Sequence, residues 1–497
     1  MSPAAPPTPS AIGHWIGGEG ADAADGRTLD VTDPASNRPY AQVARGGPAD
    51  VAQAVDAART AFPDWAATAH HERARVLHRI ADTVEDRHDR LAAFESYDSG
   101  LPIGQARGQA RRAAENFRHF AGVITTLGEE AFRQGEEQLS YVVRGPKGVA
   151  GLITPWNTPF MLQSWKLAPA LAAGCTVVLK PAEWTPLSAS LWPEILTTAG
   201  VPAGVVNVVH GTGPEAGQAL VDHPGVPLIS FTGSTTTGRH ILRSCADHLK
   251  AASMELGGKS PVVVFADADI GAAVDAVVFG AFSLNGERCT AGSRVLVERP
   301  LYEEFTCRVA ERAAGLRVGP PADPATEVGP LVHSDHYRRV LEYVRHGCEE
   351  ARLVTGGGRP AHLPEGNYLQ PAVFAEVPRD ARIFQEEIFG PVLALAPFDG
   401  EEEAVGLANA TRYGLAAYVW TSDLRRGHRI AHAVDAGMVW INSHNVRDLR
   451  TPFGGAKASG VGREGGAHSI DFYTEPKSVH VALGEARPPR LGEGARP

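Results

Sequence analysis

The chain has 497 residues, a formal charge of −10, and 43% hydrophobic against 21% charged residues. A domain averages ~150 residues, so this length predicts roughly two to four domains with ample core material. No apolar run reaches the ~18 residues of a membrane span, and no basic run follows a phosphate backbone, which argues against membrane and nucleic-acid partners alike. Small-molecule chemistry is the better expectation.

Five cysteines without C-x-x-C spacing speak against a disulfide framework and against a structural zinc site, so no metal is expected and the compartment is read as the reducing cytoplasm. Residues 1–10 are rich in Pro and Ala, lack the pattern of a signal peptide, and are expected to be disordered. Val51, Val55, Ala58 and Phe62 recur on one helical face that Pro63 is expected to close. A longer helix is expected from about Glu72 to Ser96, ended by Gly100 and Pro102, and a third carries Ala106, Ala110, Ala113, Phe117 and Phe120. Leu139 to Arg144 has strand composition with no helix beside it, and is read as an arm reaching beyond its own domain.

From Gly148 the pattern changes. Val149 to Ile153, Cys175 to Leu179, Val205 to Val209, Leu228 to Phe231 and Pro261 to Phe265 are short β-rich runs with helix-length segments between several of them. That alternation predicts an α/β fold with a mostly parallel sheet, in which ligands bind at the carboxyl ends of the strands. The ends here are polar: Thr154-Pro155-Trp156-Asn157, Lys180-Pro181-Ala182-Glu183, Gly211-Thr212-Gly213 and Thr232-Gly233-Ser234. Gly233 and Gly238 have P-loop spacing, but Arg239 and His240 stand where such a loop needs Lys and then Ser or Thr. What survives is a helix N-terminus suited to an anion, or a plain strand-to-helix turn. Glu183 suits a ribose diol and repels a 2′-phosphate, although Lys180 and Glu183 also read as a surface pair. Glu255 stands alone among small and apolar residues, as a base of raised pKa or as a glutamate at a domain crossover.

The stretch Asn285-Gly286-Glu287-Arg288-Cys289-Thr290-Ala291-Gly292 places one cysteine among small and polar residues beside an arginine, the setting of a nucleophile, although a lone cysteine also reads as a small buried hydrophobe. Beyond it a second α/β region follows, with the loop Glu387-Ile388-Phe389-Gly390-Pro391, strands at Ala417 to Trp420 and Met438 to Asn442, and a long glycine-rich loop from Phe453 to Gly466.

Taken in order and spacing, Pro155-Trp156-Asn157, Lys180 to Glu183, Phe231 to Ser234, Glu255 to Lys259, Cys289 and Glu387 to Pro391 resemble the NAD(P)-dependent aldehyde dehydrogenase superfamily from about residue 12 to 480. The resemblance implies a Rossmann-like NAD-binding domain (11–125 and 147–257), an α/β catalytic domain (258–470), an oligomerisation arm (126–146 and 471–486) and a tail (487–497). It implies a homo-oligomer, dimer or tetramer. Cys289 would attack the aldehyde, the Asn157 amide and Cys289 N–H would hold the oxyanion, and Glu255 would activate the hydrolytic water. Lys166 and Glu464 match a proton route. Ile153, Thr154, Pro155, Trp156, Lys180, Glu183, Gly213, Gly233, Ser234, Thr237, Gly238, Leu256, Glu387 and Phe389 match cofactor-binding positions, with NAD favoured over NADP by Glu183. Because the branch that acylates coenzyme A lacks an acid at the Glu255 position, hydrolysis to a free acid is expected. The runs Asp98 to Ile103, Phe282 to Cys289 and Asn445 to Arg450 resemble a branch acting on carboxylated semialdehydes from aromatic catabolism, with Arg447 and Arg450 as carboxylate partners. An aldehyde of another kind, or a catalytically idle binding protein of the same fold, stays open.

Overall fold

A computed structural model of the chain describes residues 6–485 and 491–492. Most of the tail expected at 487–497, and half of the loose N-terminus, lie outside those residues. Ser10 is already tied, since its carbonyl accepts the Gln42 N–H at 3.0 Å.

Two sheets carry the fold. The first has eight strands, five of them parallel at its centre in the spatial order Ala251–Glu255, Leu228–Thr232, Val149–Ile153, Thr176–Lys180, Val206–Val208. Strands Val149–Ile153 and Thr176–Lys180 are buried along their whole length, as strands covered on both faces must be. Strand order reverses between Val149–Ile153 and Leu228–Thr232, so a crevice opens beyond their carboxyl ends. The second sheet has seven strands, with Pro261–Val264 and Arg294–Glu298 at its centre and Met438–Ile441 at one edge. Leu256 to Ser260 carries the chain from one sheet to the other.

A third, antiparallel sheet joins Ala131–Gln134, Gln138–Pro146 and Thr474–Ala482, bringing together the two segments expected to form an arm. Among the described residues no helix is long and apolar enough to cross a membrane.

The local expectations fail where neighbours intervene. Pro63 lies inside the helix Pro48–Ala67 rather than at its end. Its ring is on the exposed side, where the carbonyl it leaves unpaired meets water, while buried Trp65 anchors the last turn to the core. The helix expected over Glu72 to Ser96 is two, His70–Asp86 and His88–Ser99, broken at Arg87 (φ −106°, ψ 11°), whose guanidinium binds Glu194. The glycine-rich segment is no simple loop. Its Gly460–Val461 strand pairs with Ala251–Glu255, so a stretch assigned to the second domain completes the edge of the first sheet.

Candidate active site

Cys289 sits at the meeting of two clefts. The chain reaches it through Leu284 (φ 53°), Asn285 (φ 57°) and Gly286 (φ 72°), three successive residues in the left-handed region. For Leu and Asn that conformation persists only when the surroundings enforce it. Asn285 is fully buried and enforces it from three sides: its amide donates to the carbonyls of Gly100 and Pro330, each at 3.1 Å, and accepts the Gly329 N–H at 2.7 Å. On the far side the Tyr418 hydroxyl donates to the Thr290 carbonyl at 2.8 Å. The nucleophile is therefore held by backbone pinned before and after it. Burial pushes its thiol up to about 11, with Arg447 and Arg288 pulling the other way. The Asn157 side-chain amide donates to the Glu287 carbonyl at 2.9 Å, and its second N–H is left for an oxyanion at Cys289.

One cleft opens over the first sheet. Pro155, Trp156, Asn157, Gly233, Ser234, Leu256, Glu387 and Phe389 line it down to Cys289. Glu387 accepts the Gly258 N–H at 2.8 Å, and a Cβ at Gly257 would stand 2.1 Å from its carboxylate, so glycine is required beneath it. Lys180 bonds Glu183 at 2.8 Å at the next strand end. Burial works upward on the Glu183 carboxyl, but the Lys180 ammonium and the Gly213 N–H outweigh it and hold an anion there. Ile153 and Thr154 end the central strand, both buried. Helix Thr235–Asp247 starts at the cleft with Ser234 as its N-cap. The Thr237 and Gly238 N–H groups are already used by Ser234, which leaves those of Thr235 and Thr236 for an anion. An open helix end, a carboxylate pair and a glycine-floored cradle suit a nicotinamide dinucleotide.

The other cleft shares Asn157, Leu162, Thr232, Leu256 and Cys289 with the first, and adds Glu255, Glu464, Arg112, Arg288, Arg447 and Phe453. Glu255 ends its strand almost fully buried, and neither carboxylate oxygen has a protein partner. Burial, then the nearby Glu464, raise its pKa well above the ordinary range. A Cβ at position 454 would stand 2.7 Å from this carboxylate, and Gly454 (φ 151°) makes the room. Behind it Glu464 accepts hydrogen bonds from Lys166 at 2.6 Å, Ser230 at 3.0 Å and Trp165 at 2.5 Å. Removing either member of that buried ion pair would strand a charge, at about 3–5 kcal/mol.

Residues 21–479 match the Aldehyde dehydrogenase family. The chain belongs to that family. Its fold is shared by the NAD+ complex structure of an aldehyde dehydrogenase from Bacillus cereus, 41% identical with a TM-score of 0.93, covering 95% of this chain and 97% of that one. It is 47% identical to the 5-carboxymethyl-2-hydroxymuconate semialdehyde dehydrogenase of Escherichia coli, over 92% of this chain and 98% of the relative. It is 45% identical to the 2-hydroxymuconic semialdehyde dehydrogenase of Pseudomonas sp. (strain CF600), over 95% and 99%. The protein is thus an aldehyde dehydrogenase, an NAD-dependent oxidoreductase taking an aldehyde to a carboxylic acid.

The structure brings the expected residues of this aldehyde dehydrogenase together with one exception. Arg450 is 82% exposed at its side chain and forks onto Asp448, at 2.6 Å for the closest pair. It does not reach the cavity, because alternate residues of the 447–450 loop face opposite sides. Arg447 does reach it, lying 3.9 Å over the Phe453 ring with its Nε lacking a partner. The cations that join Arg447 are Arg112 and Arg288. The apolar repeat of the helix Ile103–Thr126 points to its other face and gives no sign of Arg112.

Proposed function

We propose that this aldehyde dehydrogenase oxidises an aldehyde carrying more than one carboxylate, of the kind of 5-carboxymethyl-2-hydroxymuconate semialdehyde. The observation that carries the reading is the convergence of Arg112, Arg288 and Arg447 on the cavity at Cys289, with Nη1 of Arg288 and Nε of Arg447 buried and without protein partners. Buried guanidiniums left open in this way call for anionic partners, and planar carboxylates match their fork geometry. The identity with the Escherichia coli relative points the same way.

In this reading the Cys289 sulfur, its proton lost to the buried base beside it, adds to the aldehyde carbon. The free N–H of Asn157 and the Cys289 backbone N–H take the oxyanion. A bound nicotinamide would accept the hydride that turns the tetrahedral adduct into a thioester. Glu255 then removes a proton from water as it attacks the thioester carbon, the acid leaves, and the thiol is restored. Lys166, Ser230 and Glu464 lie behind Glu255 as the route by which its proton departs. Glu183 favours NAD, since a 2′-phosphate would meet its charge. The arm sheet would pair copies into a dimer or tetramer, and the cytoplasm is the compartment proposed.

NADH formation with aldehydes bearing two, one or no carboxylates tests the substrate. The highest kcat/KM is expected for the dicarboxylated semialdehyde; a higher value with 2-hydroxymuconic semialdehyde, succinic semialdehyde or an alkanal would overturn the reading.

A further inference from the structure

The helix Ser334–Glu350 begins against the cofactor cleft, and its first turns make contacts that the reaction scheme above does not use. His336 is buried, with its ring 5.0 Å from that of Trp156. Its Nε2 stands 2.7 Å from the Phe389 carbonyl oxygen. A carbonyl oxygen only accepts, so Nε2 carries the hydrogen. Burial lowers the ring's pKa to about 4, so the neutral tautomer has this one donor placed on Phe389. One turn further, Arg339 donates to the Glu387 carbonyl at 3.3 Å. Val340 then packs where a Cβ on Gly390 would stand, at 2.8 Å.

Phe389 itself is unusual. Its φ of 62° puts an aromatic residue in the left-handed region, which a non-glycine residue holds only under constraint. The constraint visible is the His336 bond on one side and, on the other, Gly286 of the nucleophile loop, whose Cβ would stand 2.4 Å from the Gly390 carbonyl carbon. Glu387 and Phe389 are two apart, so both side chains face the cleft while their carbonyls face the helix.

We propose that His336 is a positioning residue which, with Arg339, clamps the Glu387–Phe389 segment in the strained form that presents both side chains to the cofactor. Glu287 lies beside this clamp but is held independently of it: its carboxyl accepts the Val332 N–H at 3.0 Å and lies 3.5 Å from His336 Nε2, while its carbonyl holds Asn157. The clamp rests on the reading that Glu387 and Phe389, which line the cleft with Cys289, bind the cofactor. It adds that their pose is set from behind, by a donor to a backbone carbonyl.

The test compares full-length His336→Leu, His336→Gln and Glu387→Gln. In His336→Leu the KM for NAD rises about tenfold, and a kinetic isotope effect with aldehyde deuterated at C1 grows as hydride transfer becomes limiting. Alkylation of Cys289 by iodoacetamide without cofactor keeps the parent rate, which separates the clamp from a general loosening of the site. His336→Gln, which retains an N–H able to reach the carbonyl, restores both the KM and the isotope effect. An unchanged KM and isotope effect in His336→Leu would overturn the clamp, as would equal damage in the Leu and Gln variants or slowed alkylation. If Glu387→Gln also leaves the KM for NAD unchanged, the cofactor reading fails and the clamp with it; if Glu387→Gln alone is impaired, only the clamp fails.

Discussion

The two clefts that meet at Cys289 are built on opposite plans. On the cofactor side the polar groups are tied to one another: Lys180 to Glu183, Glu387 to Gly258, His336 to Phe389. On the substrate side Glu255, Arg288 Nη1, Arg447 Nε, Gln109 Oε1 and Asn445 Oδ1 are buried without protein partners. A buried polar atom without a partner is costly, so a fold keeps it where a ligand or a reaction needs it. The charged side chains of the first cleft are thus paired before anything binds, with the helix end and the Thr154 and Thr232 hydroxyls left open, whereas the charges of the second await its substrate.

Removing the central base should break this contrast most severely. In Glu255→Gln the steady-state rate is expected to fall roughly a hundredfold or more, because the variant loses the base for both the Cys289 proton and the hydrolytic water. A steady rate near the parent's would remove Glu255 from the hydrolytic step. The pH profile sharpens the same point. A raised pKa means that the base form exists only above it, so hydrolysis is lost as pH falls through a limb well above the ordinary carboxylate range, and Glu255→Gln should abolish that limb.

The arginines come next. A charge-assisted bond is worth about 2 kcal/mol, so Arg447→Ala should raise KM for a dicarboxylated aldehyde roughly thirtyfold and leave an uncharged aldehyde nearly unaffected. Arg450→Ala should change either by less than about twofold, being an exposed pair with Asp448. Equal effects of the two substitutions would erase the distinction between them. On the cofactor side an effect between those of the two arginines is expected: Glu183→Gln should raise the ratio of NADP to NAD kcat/KM by about tenfold, which is the worth of one lost charge repulsion. A ratio that did not move would mean that Glu183 does not face the ribose.

This contrast also decides what was legible in the sequence. Cofactor residues stand at the carboxyl ends of successive strands, where alternating apolar runs and short polar motifs mark them, and Trp156, Glu183 and Gly233 were readable for that reason. Glu255 and Cys289 stood out as single reactive groups among small residues. The substrate side has no such grammar. Arg112 lies on a helix whose apolar repeat drew attention to its other face, and nothing in the order of Arg447 to Arg450 says which arginine turns inward. His336 was hidden differently, since a bond to a backbone carbonyl leaves no mark on the residue that receives it. Pro63 shows the same limit in the fold: its local rule was sound, and buried Trp65 overruled it.

The Asn285 amide has one more consequence. It bonds Gly100, at the end of a helix whose Leu91 and Phe94 share a core with the first sheet, and Pro330, in the half built on the second. The nucleophile loop is therefore a rivet through both halves, and the halves cannot part without releasing it. Catalytic competence then doubles as a strain gauge for the assembled chain: on heating or in denaturant, aldehyde oxidation disappears at the first separation of the halves, ahead of any loss of secondary structure.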